Sequence, residues 1–252
     1  MSKRIWIIGG STGIGLELVK NYLTNNDSVV VSSRSAVNSG ELNELQIFYA
    51  KKLVLINIDV SNTSSVINVT KEAWNAFSGI DLCIYNAGIY ESMQVDGWNI
   101  EYFEQMMQTN YLGGVRITNA LAPLFLENGE GSLAFNISVA SYFGLPYASG
   151  YSAPKAALLN FCESIQPEFK EKNIDVQVIN HGFVKTRLTV KNKFWMPQLL
   201  EPETAADIIF EKLEYSKNFE IKFPFILSSF LHLLRVLPYK ISLYFTSKVL
   251  RC

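Results

Sequence analysis

The chain has 252 residues, 48% of them hydrophobic and 18% charged, with 22 Lys and Arg against 23 Asp and Glu for a net charge of −1. That is enough apolar material for a full core, which excludes a disordered chain and a disulfide-stapled miniprotein. The balanced charge excludes a general nucleic-acid binder, whose phosphate contacts need surplus cations.

No apolar run reaches the roughly 18 residues that read as a transmembrane helix. The opening Met1-Ser2-Lys3-Arg4-Ile5 is expected to enter a strand directly, without a cleavable leader. Cys83, Cys162 and Cys252 are odd in number and lack metal-ligand spacing, so no metal site is expected. They fit a reducing, cytoplasmic setting, with two thiols in the core and one at the terminus.

Apolar, β-branched runs at 5–8, 29–32, 53–58, 82–85, 133–137 and 176–179 are predicted strands, each separated by a helix-length segment such as 14–23. Runs that are continuously apolar, rather than alternating, belong to strands covered on both faces. Strand–helix alternation then predicts an α/β, Rossmann-like, doubly wound parallel sheet. No Pro/Gly/Ser-rich linker or repeat interrupts it, so residues 1–220 are expected to form a single α/β domain.

The landmarks follow in chain order. Gly9-Gly10-Ser11-Thr12-Gly13-Ile14-Gly15 joins the first strand to the first helix. Its glycines allow a tight turn and close approach to a pyrophosphate, and the free N–H groups of the helix end favour anions. Asp59-Val60 follows the third strand, Asn86-Ala87-Gly88 the fourth, and Asn110 lies in the next helix. Ser138 is expected to end the fifth strand, and Tyr151-Ser-Ala-Pro-Lys155 opens the following helix. In this order and spacing, residues 4–215 resemble the short-chain dehydrogenase/reductase family.

The resemblance implies a cofactor held by the glycine loop, with Asp59 and Val60 at the adenine and Asn86, Ala87 and Gly88 along its length. It implies Tyr151 as general acid/base, with Lys155 holding the nicotinamide ribose and favouring the phenolate. It further implies Ser138 on the substrate oxygen and Asn110 holding a water in a proton relay. A free tyrosine has a pKa of about 10, so it needs such help at neutral pH. Tyr151 and Lys155 are four apart and share one helix face. Ser141 is the rival to Ser138, since the usual pair of adjacent serines is absent here. After the second strand the chain reads Ser32-Ser33-Arg34-Ser35, with no acid for a ribose 2′-hydroxyl. Arg34, assisted by Ser33 or Ser35, suits a 2′-phosphate, so NADP(H) is expected over NAD(H).

Where the family has Pro-Gly after the sixth strand, this chain has Asn180-His181-Gly182, followed by Thr186 for the nicotinamide carboxamide. His181 is read as a turn residue contributing backbone groups only. Pro154 and Pro167 are expected to bend or end the catalytic helix near Gln166. Phe194, Trp195, Met196 and Leu199 are expected to form an apolar lid over a small hydrophobic carbonyl or alcohol substrate. A catalytically idle nucleotide-binding or regulatory protein on the same fold is the alternative function. Members of the family commonly self-associate through their long helices, which implies a homo-oligomer.

The last segment, 221–252, has no Asp or Glu and five basic residues, Lys222, Arg235, Lys240, Lys248 and Arg251, leaving residues 1–220 with 17 bases against 23 acids. It is predicted to be an apolar, basic helical appendage. Ser228, Ser229, His232 and Arg235 share one helical face and leave a broad apolar face opposite. That face is expected either on anionic lipid, as a peripheral membrane contact, or packed on the cleft or another subunit.

Overall fold

The structure is a computed structural model that describes residues 2–192 and 195–248. Among the residues singled out from the sequence, Met1, Phe194, Arg251 and Cys252 lie outside that range. The strands are β1 (Arg4–Ile8), β2 (Ser28–Ser33), β3 (Leu53–Asn57), β4 (Leu82–Tyr85), β5 (Gly131–Asn136), β6 (Ile174–His181) and β7 (Glu220–Phe223). All pair in parallel, in the order β3-β2-β1-β4-β5-β6-β7.

Successive side chains of β1 serve opposite faces. Ile5 and Ile7 pack with α1 (Gly13–Thr24), α2 (Gly40–Phe48) and α7 (Pro202–Tyr215). Trp6 and Ile8 pack with α3 (Thr63–Ala76), α5 (Gly113–Asn128) and α6 (Ser149–Lys170). Each fully buried Ile or Val there stabilises the fold by roughly 1.5–3 kcal/mol, which is why the strands read as unbroken apolar runs.

The sheet has one strand more than the sequence predicts. In β7, Ile221 and Phe223 are buried while Lys222 is exposed, the alternation of an edge strand rather than a continuous run. It pairs with β6 from Val178↔Glu220 to His181↔Phe223, so the change in composition at residue 221 falls inside a strand of the sheet. Two helices follow, α8 (Phe225–Val236) and α9 (Tyr239–Lys248), and Leu231 and Leu234 of α8 join the core.

The catalytic helix does not end near Gln166. α6 runs unbroken from Ser149 to Lys170, through both Pro154 and Pro167. Each proline removes one ladder bond, at a cost of about 3 kcal/mol in a helix interior. Burial of Leu158, Leu159 and Cys162 against the sheet outweighs it. Strand order reverses between β1 and β4, and the crevice at the carboxyl ends of the strands beside such a switch point is where ligands bind in open α/β sheets.

Candidate active site

The loops after β1 to β6 enclose one cleft of about 1,460 Å3, larger than the roughly 300–1,000 Å3 usual for a small-molecule site. At one end lies the glycine loop. Gly9 takes φ +87°, where an L side chain is strained, and a Cβ there would stand 2.6 Å from Ala87 N. A Cβ on Gly15 would meet Gly9 O at 2.2 Å and Asn86 Nδ2 at 2.6 Å. Asn86 Nδ2 donates to Gly9 O at 2.8 Å, tying β4 to the loop. Thr12 is the N-cap of α1 but makes no side-chain cap, which leaves that helix end, at the border of the cleft, without a side-chain acceptor of its own. Ser11, Thr12, Gly13 and Ile14 line this end, and the cradle suits a pyrophosphate.

Ser33, Arg34, Asp59 and Val60 line the neighbouring stretch. Ser32, by contrast, accepts from Trp6 Nε1 at 2.9 Å inside the core. Asp59 accepts from Ser61 Oγ at 2.6 Å and Ser61 N at 2.9 Å. Those bonds, aided by the charges of Arg34 and Arg116, hold its carboxyl below the ordinary range. It therefore stays ionised and braces the turn after β3.

At the other end Tyr151, in the first turn of α6, and Lys155, one turn on, share a face as their spacing predicts. Lys155 Nζ lies 5.6 Å from the Tyr151 ring centroid and donates to Asn136 O at 2.8 Å. Asn136 Nδ2 in turn donates to Asn86 Oδ1 at 2.5 Å. The electrostatics differ from the expectation of a cation that favours the phenolate. Burial pushes Tyr151 well above its ordinary value, and its hydrogen bond with Ser138 offsets only part of that. Burial also pulls Lys155 down to about 7, so its ammonium is half lost at neutral pH.

Ser138 stands two residues past the end of β5, not at its last position, because the strand gives way to a 3-10 turn that Ser138 caps. It lines the cleft beside Tyr151. Ser141, the rival, points away and donates to Asn180 Oδ1 at 3.2 Å. Asn110 lies fully buried in a π-helical turn between α4 (Ile100–Met107) and α5. Its amide both accepts from Ile89 N and donates to Ile89 O, at 2.8 Å each. A Cβ on Gly88 would sit 3.5 Å from Asn110 Oδ1 and 3.7 Å from Lys155 Nζ, so the two groups border the same small space.

A profile of the short chain dehydrogenase family matches residues 3–196. The chain belongs to that family. It is 30% identical over 190 residues to the dehydrogenase/reductase SDR family member 7B of Xenopus tropicalis, an alignment covering 73% of this chain and 62% of that one. The chain thus spans about 60% of the length of the first such relatives. The fold is that of a short-chain dehydrogenase from Streptomyces avermitilis (TM-score 0.84, 20% identity, 99% of this chain and 98% of that one). It is also that of one from Burkholderia cenocepacia in complex with NADP (TM-score 0.78, 20% identity, 94% and 99%).

Against the family pattern, the far side of the cleft holds the differences. Of the expected lid, Phe194 lies outside the described residues, and only Trp195 lines the cleft. Met196 Sδ accepts from Asn192 Nδ2 at 3.3 Å and Leu199 is exposed, because the segment folds back on itself through a Val184↔Leu200 bridge. Instead Ile226, Leu227, Phe230 and Leu231 of α8 form that wall. His181 ends β6 rather than occupying a free turn, so its ring also borders the cleft. Its Nδ1–H donates to Gly182 O at 2.7 Å, and burial drops its pKa to about 4, leaving it neutral.

Three contributors escaped the sequence reading. Asn136 links Asn86 to Lys155, as described above. Tyr90 sets its ring edge-on to Tyr151 at 5.2 Å and donates to Asn192 Oδ1 at 2.8 Å. Arg187 Nη2 donates to Thr12 Oγ1 at 3.1 Å, bringing a cation to the glycine loop. Adjacency to Asn86-Ala87-Gly88 and to Thr186 was the available signal for the last two.

Proposed function

We propose that this dehydrogenase uses NADP(H) to reduce a hydrophobic ketone or aldehyde to an alcohol, or to run the reverse. The observation that carries the reading is the meeting of Ser138, Tyr151 and Lys155 in one cleft with an uncapped helix N-terminus. Gly9, Ser11, Thr12, Gly13, Ile14 and Gly15 would hold the pyrophosphate, with Arg187 beside them. Ser33 and Arg34 would hold the ribose phosphate, and Asp59 and Val60 the adenine. Asn86, Ala87 and Gly88 would run along the cofactor, Tyr151 and Lys155 would meet the nicotinamide ribose, and Thr186 its carboxamide. The lack of an acid after β2 supports the phosphorylated form, as does the NADP held by the Burkholderia relative.

When bound, the nicotinamide exchanges a hydride with the substrate carbon. Ser138 donates a hydrogen bond to the substrate oxygen and fixes it beside Tyr151. Tyr151 Oη, kept protonated by its surroundings, gives its proton to that oxygen in the reduction direction. Lys155, balanced near neutrality, then returns a proton toward Tyr151, and the space shared with Asn110 connects it onward. Walls supplied by Ile89, Leu145, Leu227 and Leu231 favour an apolar substrate. The buried free thiols of Cys83 and Cys162 support a reducing, cytoplasmic setting. Kinship supports a homo-oligomer.

The test is NADPH oxidation against a panel of hydrophobic ketones and aldehydes, with Tyr151→Phe as control. Turnover that vanishes in the variant supports the mechanism. Cofactor binding without turnover anywhere in the panel would replace it with the idle nucleotide-binding protein.

A further inference from the structure

We propose that the outer face of α8 and α9 docks on an anionic lipid surface, and that the cleft opens toward that surface and takes its substrate from the lipid phase. The second half rests on the carbonyl-reductase reading; the first does not.

Both helices leave large apolar side chains exposed, and α9 is turned inside out for a protein in water. On α8 one of the two serines faces inward: Ser228 is fully buried, with its Oγ donating to Phe225 O at 3.1 Å. The His232 ring packs edge-on to Tyr142 at 5.1 Å, and Arg235 Nη1 lies 3.7 Å from Glu163 Oε1. Of the polar stripe only Ser228 is buried: His232 and Arg235 touch the body yet stay exposed, and Leu231 and Leu234 carry the rest of the packing of α8. Phe225, Ile226 and Val236 are each at least 70% exposed. In α9, Ser242 is fully buried and donates to Leu234 O at 2.8 Å, Thr246 is buried, and Leu243, Tyr244 and Phe245 face out. Small hydroxyl residues between helices and large apolar residues outside is how helices pack in lipid. A surface helix in water shows the reverse.

Charge selects the occupant. Residues 221–252 carry five basic residues and no acid, while 17 bases face 23 acids in the rest of the chain. Arg235 of α8 and Lys240 and Lys248 of α9 are exposed, so a second copy seated on this face would bring like charges together, whereas an anionic bilayer complements them. At 12 and 10 residues, α8 and α9 are far short of the roughly 20 needed to span, so they would lie in the interface plane. The face is continuous with the mouth of the cleft. Trp195, Ile226 and Phe230 all line the cleft and are all exposed, and the Phe230 ring meets the Phe245 ring of α9 at 6.0 Å.

The test is cosedimentation of the full chain with vesicles of phosphatidylcholine alone or mixed with phosphatidylserine. Binding is expected to the mixed vesicles, falling with salt. Replacing Lys222, Arg235 and Lys240 by Gln should weaken it roughly fivefold each, on the order of a hundredfold together. Val236→Ser with Leu243→Ser should lose the vesicles while turnover of a water-soluble carbonyl is unchanged. Should that pair fail to fold, the lipid and salt dependence of the parent protein carries the test. Brominated lipid should quench tryptophan fluorescence in the parent and not in Trp195→Phe. Quenching that survives Trp195→Phe would overturn the orientation of the cleft. Equal binding to neutral vesicles, no binding at low salt, or a dimer that the Val236→Ser, Leu243→Ser pair disperses would overturn the docking. Sedimentation requires no turnover, so it fails or succeeds independently of the reductase reading.

Discussion

At the floor of the cleft, Asn86, Asn136 and Lys155 hold one another through bonds of 2.5 to 2.8 Å, and Asn86 reaches on to Gly9. Moving any one of them would strand a buried polar group, which costs about 1–3 kcal/mol. At the rim, Trp195, Ile226 and Phe230 border the same space yet stay exposed, with no polar side-chain bond to fix them among the described residues. The floor is therefore rigid and chemically specific, and the rim is apolar and adaptable. Substitutions at the floor should change catalysis and cofactor affinity steeply, and those at the rim should change which substrates are accepted.

The largest expected effect is at Tyr151. Tyr151→Phe removes the proton and little else, so kcat should fall by roughly a hundredfold to ten-thousandfold, while NADPH affinity by titration calorimetry stays near the parent value. Gly15→Ala comes next. Its Cβ would meet Gly9 O at 2.2 Å, and strain of about 1–3 kcal/mol is expected, seen as a lowered melting temperature and lost cofactor binding. Gly144→Ala, with nothing within 4 Å, should be neutral and serves as the control.

A smaller effect is expected at the exposed Arg34. Arg34→Ala should narrow the preference for NADPH over NADH by about tenfold, read as the ratio of dissociation constants. An unchanged ratio would remove Arg34 from the phosphate site. A further effect is on stability in the cofactor-free protein. Lys155 has a folded-state pKa of about 7 against an ordinary 10.5, so the unfolded chain binds more protons between those values and stability rises with pH. Buried thiols oppose this above their ordinary value of 9.0. The melting temperature of the parent should therefore climb relative to Lys155→Met between pH 7 and 9. A constant difference would mean that Lys155 is not desolvated.

The floor was largely legible because its chemistry is local. The glycine loop needs no Cβ at Gly9 and Gly15, and Tyr151 and Lys155 need only helical spacing. Such requirements leave fixed residue types at fixed intervals, and the unbroken apolar strands told of a sheet covered on both sides. What escaped depended on partners distant in sequence. Asn136 owes its role to Asn86 and Lys155, Arg187 to Thr12, and β7 to its pairing with β6. Local propensity also misjudged α6, where the prolines argued for a break and the packing of Leu158, Leu159 and Cys162 overrode them.

The tail marks the same boundary most clearly. Its two short amphipathic helices and its lack of acids are properties of order and composition, and the sequence alone determined them. Which face of each helix turns inward was decided by the tertiary structure, because Ser228 and Ser242 could reach backbone acceptors while Leu231 and Leu234 filled the core. Periodicity establishes that a helix has two faces; only the surface that it meets determines which one remains outside.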